Sequence, residues 1–242
     1  MNTTESSYEQ FLESYLPSTT DRCFVTVTYA QSLDARIACA PGERTKLSGA
    51  DTKRMTHFLR SKHDAILVGI DTVIADNPRL NCRYPTMAED YNSPLSPQPV
   101  FLDTHFRWDF TKDWALLRSS TSKKPLIITE SKNSGKIASY IEFGGEVLQV
   151  QDIRNWTEIA RGLYSLGYTS VMVEGGAKVI DSCLTSGIAD SVIITIAPVF
   201  LGTNGLAAAP SHAITFSEPR WWRSEGVPDT ICAMKCDPIS MK

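Results

Sequence analysis

The sequence predicts a single α/β domain over residues 1–242, with a largely parallel central sheet flanked by helices and an antiparallel C-terminal addition. Short apolar runs such as 65–68 and 126–129, typical of strands buried on both faces, alternate with amphipathic helical segments. Parallel strands need a crossover, usually a helix, so this alternation favours a parallel sheet. The 242 residues, 42% of them hydrophobic, are enough for one large core.

The N-terminal third begins with a predicted helical extension over residues 1–20, lying on the domain surface. Four apolar residues recur there at helical spacing: Tyr8, Phe11, Leu12 and Tyr15. A strand over 24–30 and a turn over 32–36 follow. Ser48 and Asp51 have the character of a capping box, which predicts a helix that Arg60 closes.

The remaining elements follow in order. A strand over 65–68 leads to a single helical turn over 71–78, and three prolines predict a surface loop over 84–98. Further segments are strands at 100–103, 126–129, 147–150 and 191–196, helices at 134–141 and 156–166, an irregular stretch at 201–226, and a last strand at 230–235. That last strand is suited to the edge of the sheet.

The stretch 171–187 is the strongest local signal for a site. An apolar run ends at Glu174, and Gly175 and Gly176 follow directly. Apolar residues at helical spacing then predict a helix: Val179, Ile180, Cys183 and Leu184. Glycines let a backbone approach a ligand closely, and the free N–H groups of a helix start favour an anion such as a pyrophosphate. A glycine pair also occurs in α/β connections that bind nothing, so both interpretations stay open.

Composition and charge favour a small-molecule partner. The net charge of -3 and the absence of a basic stripe argue against nucleic acid. No apolar stretch has the length of a membrane span, and the N-terminus has no signal-peptide pattern, which predicts a cytoplasmic protein. The six cysteines are scattered without metal-ligand spacing, so we expect buried thiols and no metal.

Five motifs together resemble the riboflavin-biosynthesis reductases, a family with a dihydrofolate-reductase-like fold. The resemblance spans residues 24–203. The motifs that carry it are SLDAR at 32–36, LR at 59–60, TVIADNPRL at 72–80, EGG at 174–176 and APVFLG at 197–202. The family often has glycine where Ala35 stands, and its bacterial members carry a fused zinc deaminase domain that this chain lacks.

The resemblance implies NADPH as the cofactor, a homodimer, and specific roles for residues. The implied cofactor contacts are Thr72, Asp76, Thr104, Gly175, Gly176, Ala177 and Lys178. The implied substrate contacts are Arg60, Leu80, Arg83 and Glu174. Asp34 is the candidate for the reacting centre, although turn geometry alone also explains it. A charge at a helix C-terminus is the corresponding simpler interpretation of Arg60.

The implied substrate is a pyrimidine with a ribosylamino 5′-phosphate, whose opened ribose gives a C1 imine that accepts hydride from the nicotinamide. Two arginines suit a dianionic phosphate. A second possibility is another pteridine or folate reductase, which Arg60 and Arg83 disfavour because such substrates lack a phosphate. A third is a nucleotide-binding module without catalysis.

Overall fold

The structure is a computed structural model, and it describes residues 7–43, 45–89, 91–118, 122–208, 210–223 and 226–236. Parts of four predictions lie outside the described residues. They are residues 1–6 of the helical extension, residue 90 of the 84–98 loop, and residues 209 and 224–225 of the irregular stretch. The predicted domain over 1–242 includes all of the residues that are not described. Within the described ranges, no helix has the length and apolar character that crossing a bilayer requires.

The chain alternates strands and helices. The strands are β1 (Phe24–Gln31), β2 (Arg36–Ala38), β3 (Ala65–Gly69), β4 (Gln98–Leu102), β5 (Leu126–Thr129), β6 (Glu146–Gln149), β7 (Ser170–Gly175), β8 (Ser191–Ile196), β9 (Leu206–Ala207), β10 (Phe216–Trp222) and β11 (Thr230–Cys236). The α-helices are α1 (Tyr8–Leu12), α2 (Ala50–Arg60), α3 (Ile70–Asp76), α4 (Ser134–Glu142), α5 (Trp156–Ser165) and α6 (Ala177–Thr185). Short 3-10 turns occupy Glu13–Tyr15 and Ala115–Leu117.

A nine-stranded sheet organises the described residues, in the order β10-β11-β8-β1-β7-β3-β4-β5-β6. Every pair from β8 to β6 is parallel, whereas β11 pairs antiparallel with both β8 and β10. The predicted α/β fold, with a largely parallel sheet and an antiparallel C-terminal addition, is therefore confirmed. All carboxyl ends of the parallel strands meet at one edge, where ligands of open α/β sheets bind.

Both faces of the sheet are covered. Apolar side chains of α5 and α6 pack on one face against residues such as Val25 and Leu67. Helices α1 and α2 cover part of the other face around Met172 and Ile193. Residues 8–15 of the predicted extension do form helical turns, and their apolar face is buried, with Phe11, Leu12 and Tyr15 at most 3% exposed.

Two predictions at the C-terminus are wrong. Strand β10 lies inside the stretch predicted to be irregular, and β11 is an inner strand of the antiparallel addition, because β10 pairs with its outer side. The sequence FSEPRWW hides β10, since proline and charge in a strand pattern argue against a strand. Proline is tolerated at an edge, and the register of β10 shifts between Ser217 and Arg220.

Helix α2 is not capped by the predicted capping box. Its N-cap is Gly49, which has no side chain to cap the helix. The carboxylate of Asp229, only 3% exposed, replaces that side chain from a remote part of the chain. Its Oδ2 accepts hydrogen bonds from the Gly49 N–H and the Thr52 hydroxyl, both at 2.7 Å. The C-terminal addition thereby fixes the start of α2.

Of the six cysteines predicted to be buried, four are buried, one is exposed and one is half-buried. Cys23, Cys82, Cys183 and Cys232 are buried, whereas Cys39 is exposed and Cys236 is half-buried. Burial raises the pKa of the Cys23 thiol to about 12, in keeping with an unreactive core side chain.

Replacing Asp229 tests the remote cap. We expect Asp229→Ala to lower the free energy of unfolding by about 1–3 kcal/mol, because it removes the carboxylate that accepts from the half-buried Gly49 N–H and is the nearer acceptor of the buried Thr52 hydroxyl. Asp51→Ala is the matched control, since it removes only a first-turn carboxylate worth about 0.3–1 kcal/mol. Denaturant unfolding measures both. A larger loss for Asp51→Ala than for Asp229→Ala would restore the capping box predicted from the sequence.

Candidate active site

A cavity of about 1100 Å³ opens at the carboxyl edge of the sheet. Residues at the ends of four neighbouring parallel strands line it: Thr28–Ala30 of β1, Gly69 of β3, Leu102 of β4 and Glu174 of β7. The starts of α3 and α6 also line it. Its volume exceeds the roughly 300–1,000 Å³ typical of pockets for one drug-sized ligand. The cavity can therefore hold a large ligand together with a small one.

The glycine pair brings the starts of two helices together at the centre of this cavity. Gly175 has a φ of 122°, which side-chain-bearing residues rarely adopt, and Gly176 is the N-cap of α6. A Cβ on Gly176 would lie 2.8 Å from the Thr72 Oγ1 of α3. The N–H groups of Ala177 and Lys178 lie in the first turn of α6, where no intrahelical partner exists. Both residues line the cavity, so the helix start faces the space a ligand would fill.

Glu174 lines the same cavity and is held from behind by Arg60. Arg60 Nε donates to Oε1 at 2.8 Å and Nη2 donates to Oε2 at 2.7 Å. A third donor of Arg60, Nη1, binds the Asn81 carbonyl oxygen at 2.8 Å. The two charged side chains are only 14% and 17% exposed. Burial acts to lower the pKa of Arg60, but the Glu174 carboxylate outweighs burial and raises it.

Thr72, Asp76 and Thr104, three residues predicted to contact the cofactor, all line the cavity. Thr72 and Asp76 lie on α3, and Thr104 follows β4. The Thr104 carbonyl oxygen accepts hydrogen bonds from the Thr129 hydroxyl at 3.0 Å and the Glu130 N–H at 3.1 Å. These bonds anchor the segment after β4 to the end of β5.

Three of the four residues predicted to contact substrate do not line this cavity. Arg60 stands behind Glu174. Leu80, 2% exposed, belongs to the core and lines a smaller cavity of about 240 Å³.

Arg83 is 8% exposed and also lies outside the large cavity. Its backbone N–H donates to His57 Nδ1 at 3.0 Å, and its guanidinium forms an ion pair with Glu89 at 2.8 Å. Burial, together with the charges of Arg60 and Arg83, lowers the pKa of His57 to about 3, which keeps its imidazole a neutral acceptor.

Asp34, the candidate for the reacting centre, also does not line the cavity. Its carboxylate accepts hydrogen bonds from the Ser32 hydroxyl and from the N–H groups of Leu201 and Gly202, at 3.1 and 2.7 Å. Ala35 next to it has a φ of 55°, a conformation that glycine adopts more readily. These contacts tie the 32–36 turn to the segment after β8, which is a structural role.

Sequence reasoning missed several cavity residues. Thr28–Ala30 and Thr195 sit inside strands, where an alternating or apolar pattern gives no sign that a side chain faces a cavity. His105, Arg107 and Arg154 follow strands β4 and β6 and lie outside the motifs of the resemblance. Their position just after strand ends was the available signal. Among the described residues, no group of three potential ligands is placed to hold a metal ion.

Comparisons with known proteins agree with one another. Residues 23–216 match the family model described as the RibD C-terminal domain. The 2,5-diamino-6-ribosylamino-4(3H)-pyrimidinone 5′-phosphate reductases of Debaryomyces hansenii and Saccharomyces cerevisiae are 42% and 39% identical to the chain, covering 94% of it in each case and 96% and 95% of the relatives. The solved riboflavin biosynthesis reductase Rib7 of Saccharomyces cerevisiae is 34% identical, with a TM-score of 0.79, covering 96% of this chain and 100% of that one.

Removing Arg60 tests the ion pair behind the cavity. We expect Arg60→Ala to lower the free energy of unfolding by about 3–5 kcal/mol, because the Glu174 carboxylate stays buried without its partner. Arg118→Ala is the matched control: Arg118 is 61% exposed and pairs with Asp113, so its loss should cost at most about 1 kcal/mol. Equal losses in chemical denaturation would show that the Arg60 pair contributes no more than a surface pair.

Measuring the free energy of unfolding of Asp34→Asn as a function of pH tests whether the Asp34 carboxylate stabilises the 32–36 turn. Hydrogen bonds from Ser32 and the Leu201 and Gly202 N–H groups lower the pKa of Asp34 to about 2, below the value of about 3.9 for an unfolded chain. The ionised form therefore stabilises the fold above about pH 4, and this contribution decreases as the pH falls to about 2. We expect the stability gap between wild type and Asp34→Asn to narrow over that interval. A gap that stays constant would contradict the assignment.

Proposed function

The chain belongs to the RibD C-terminal domain family, and from that membership we propose that it is an NADPH-dependent reductase of riboflavin biosynthesis. Its substrate would be 2,5-diamino-6-ribosylamino-4(3H)-pyrimidinone 5′-phosphate, whose ribosylamino side chain it would reduce to ribitylamino. The observation that carries the proposal is the start of α6 at Gly176, which faces the large cavity at the carboxyl edge of the sheet.

The residues at the centre of the cavity fit a dinucleotide. The first-turn N–H groups of α6 and the Lys178 ammonium provide donors and positive charge for a pyrophosphate. Gly176 lets the starts of α3 and α6 pack closely beside the cavity, because a Cβ there would lie 2.8 Å from the Thr72 Oγ1. We assign Thr72, Asp76, Thr104 and residues 175–178 to the cofactor. When bound, NADPH would supply the hydride.

Glu174 suits the pyrimidine. The substrate carries amino groups that donate hydrogen bonds, and an ionised carboxylate is an acceptor with about four lone-pair sites. The bidentate contact with Arg60 uses one site on each oxygen and fixes the orientation of the carboxylate. The remaining sites can accept from the substrate. Arg60 is then a positioning residue, which fits its place behind Glu174 better than a direct phosphate contact does.

The neighbouring strand β1 provides a neutral wall beside Glu174. Thr28–Ala30 line the cavity there, and Thr195 of β8 lies next to them. A nicotinamide and a pyrimidine are both neutral rings, and hydride transfer requires them to be in contact and aligned. We therefore place the reacting centre over β1 and β7. The protein orients two rings and excludes water, and no protein nucleophile is needed.

Other expectations stay part of this proposal. Leu80 and Arg83 do not line the large cavity, so they would contact only a part of the substrate that extends beyond it. Asp34 would affect the reaction only by holding the 32–36 turn in place. A homodimer, a cytoplasmic location and the lack of a nucleic-acid partner are likewise predictions from the resemblance and the composition.

The purified chain tests the function directly. NADPH oxidation is followed by absorbance with the phosphorylated ribosylaminopyrimidine, its dephosphorylated form and dihydrofolate. We expect oxidation with the phosphorylated compound and a product heavier by two hydrogen atoms in mass spectrometry. Preference for dihydrofolate would indicate a folate reductase instead. Cofactor binding without oxidation of NADPH by any substrate would indicate a module without catalysis.

Replacing Gly176 with alanine tests whether the start of α6 binds the cofactor. We expect Gly176→Ala to displace Thr72 and to weaken NADPH binding about tenfold to a hundredfold, the loss expected from one hydrogen bond to a charged group. Gly135→Ala is the control, because a Cβ there would meet only Asn133 Oδ1 at an ordinary 3.6 Å. Cofactor fluorescence titration measures both variants, and far-UV circular dichroism checks their folding. Unchanged affinity in a folded Gly176→Ala protein would show that the glycine serves helix packing alone.

A further inference from the structure

The cavity differs in charge between its two sides. The strands next to Glu174 contribute the neutral residues Thr28–Ala30 and Thr195. The segment after β4 instead contributes His105 and Arg107, and the segment after β6 contributes Arg154. These basic residues have no task in the hydride transfer proposed above, because they line the part of the cavity formed by β4 and β6. Asp71 and Asp76 of α3 also line the cavity and offset part of this charge, so the candidate for binding an anionic group of the ligand is a cation that keeps a donor free.

Arg107 has more ion-pair contacts than the other residues of this group. Its Nη2 donates to Asp71 Oδ1 at 2.5 Å, and Asp71 lies in the first turn of α3. Its Nε lies 4.0 Å from Oδ1 of Asp103, a fully buried carboxylate whose other oxygen accepts from the Trp108 N–H at 2.8 Å. Asp71 therefore holds the guanidinium by a hydrogen bond, and Asp103 adds a longer ionic contact without a hydrogen bond. Among the described residues, its Nη1 has no hydrogen-bond partner, and the side chain is 48% exposed.

The direction of the cofactor follows from the order of the strands. In the proposed function, the pyrophosphate would bind at the start of α6, which follows β7, and the nicotinamide would lie by Glu174 and β1 to meet the substrate. The adenosine end would then extend the other way, across β3 to β4. Two strand spacings, about 10 Å, separate β7 from β4. Arg107, which follows β4, would therefore lie beside the ribose of the adenosine.

We propose that Arg107 binds the 2′-phosphate of NADPH and is the residue that makes this chain prefer NADPH to NADH, an inference that rests on the proposed function. The 2′-phosphate is the group that distinguishes the two cofactors. A guanidinium presents a planar fork of donors that matches a phosphate, and one fixed in advance loses little freedom on binding. The hydrogen bond to Asp71 supplies this pre-orientation. Arg154 is less suited, because it is 80% exposed and its Nε binds the neighbouring Asp152.

The test compares the binding of two cofactors to three variants. Dissociation constants for NADPH and NADH are measured by calorimetry, and 2′,5′-ADP and 5′-AMP serve as fragments that carry only the adenosine end. We expect Arg107→Gln to weaken NADPH and 2′,5′-ADP about tenfold to a hundredfold, the loss expected from a charged hydrogen bond, and to leave NADH and 5′-AMP unchanged. Arg107→Lys keeps the charge and should lie between. Arg118→Gln, which removes an arginine from another surface ion pair, should change nothing.

The outcomes separate this inference from the proposed function. If wild type prefers NADPH and Arg107→Gln keeps the full preference, the assignment of Arg107 is wrong and the reductase proposal stands. Equal losses for NADPH and NADH would also overturn it, because they would show that Arg107 only orders the segment after β4. If wild type binds NADPH no better than NADH, the NADPH assignment itself fails, and this inference fails with it.

Discussion

The ion pair between Arg60 and Glu174 is the contact on which the geometry of the candidate site depends. It joins the last residue of α2 to the end of β7, and the bond from Arg60 to the Asn81 carbonyl oxygen brings in a third segment. A pair this buried stabilises a fold only when its geometry is good and its other donors are satisfied. Both conditions hold here. The pair therefore fixes the strand end from which the glycine turn and the cavity begin.

The turn at Gly175 and Gly176, which follows this pair, explains how the start of α6 comes to face the cavity. Because Glu174 is fixed, Gly175 and Gly176 leave the sheet at a defined point, and α6 begins at once. Close packing of Gly176 on Thr72 places the starts of α3 and α6 side by side. Parallel topology gathers these starts at one edge of the sheet. A single local constraint thus places both the Glu174 carboxylate and the first turn of α6 at one cavity.

The sequence predicts what depends on local pattern, and it fails where distant segments meet. The buried strands and the strand, turn and helix of residues 171–187 are visible because periodicity and glycine act within a few residues. The sequence does not reveal that Asp229 caps α2, since Asp229 and Gly49 lie 180 residues apart. Strand β10 is missed because its proline and charges are tolerated only at an edge, a fact of topology.

The same distinction applies to the site. The resemblance implies roles for Thr72, Asp76, Thr104, Glu174 and residues 175–178, and all of them except Gly175 line one cavity. The motifs cannot show that Arg60 faces a carboxylate, or that Asp34 holds the backbone of residues 201–202. Those are tertiary contacts between segments far apart in sequence. Arg107 lies outside the motifs, and only its place at the end of β4 and its two carboxylate neighbours mark it out.

The decisive measurement is a crystal structure of the chain with NADPH. We expect the nicotinamide over Thr28–Ala30 beside Glu174, the pyrophosphate at the first-turn N–H groups of α6, and the 2′-phosphate within hydrogen-bonding distance of Arg107. A cofactor bound in the opposite direction, with its adenosine over β1, would contradict this assignment. Binding outside the large cavity would contradict it as well.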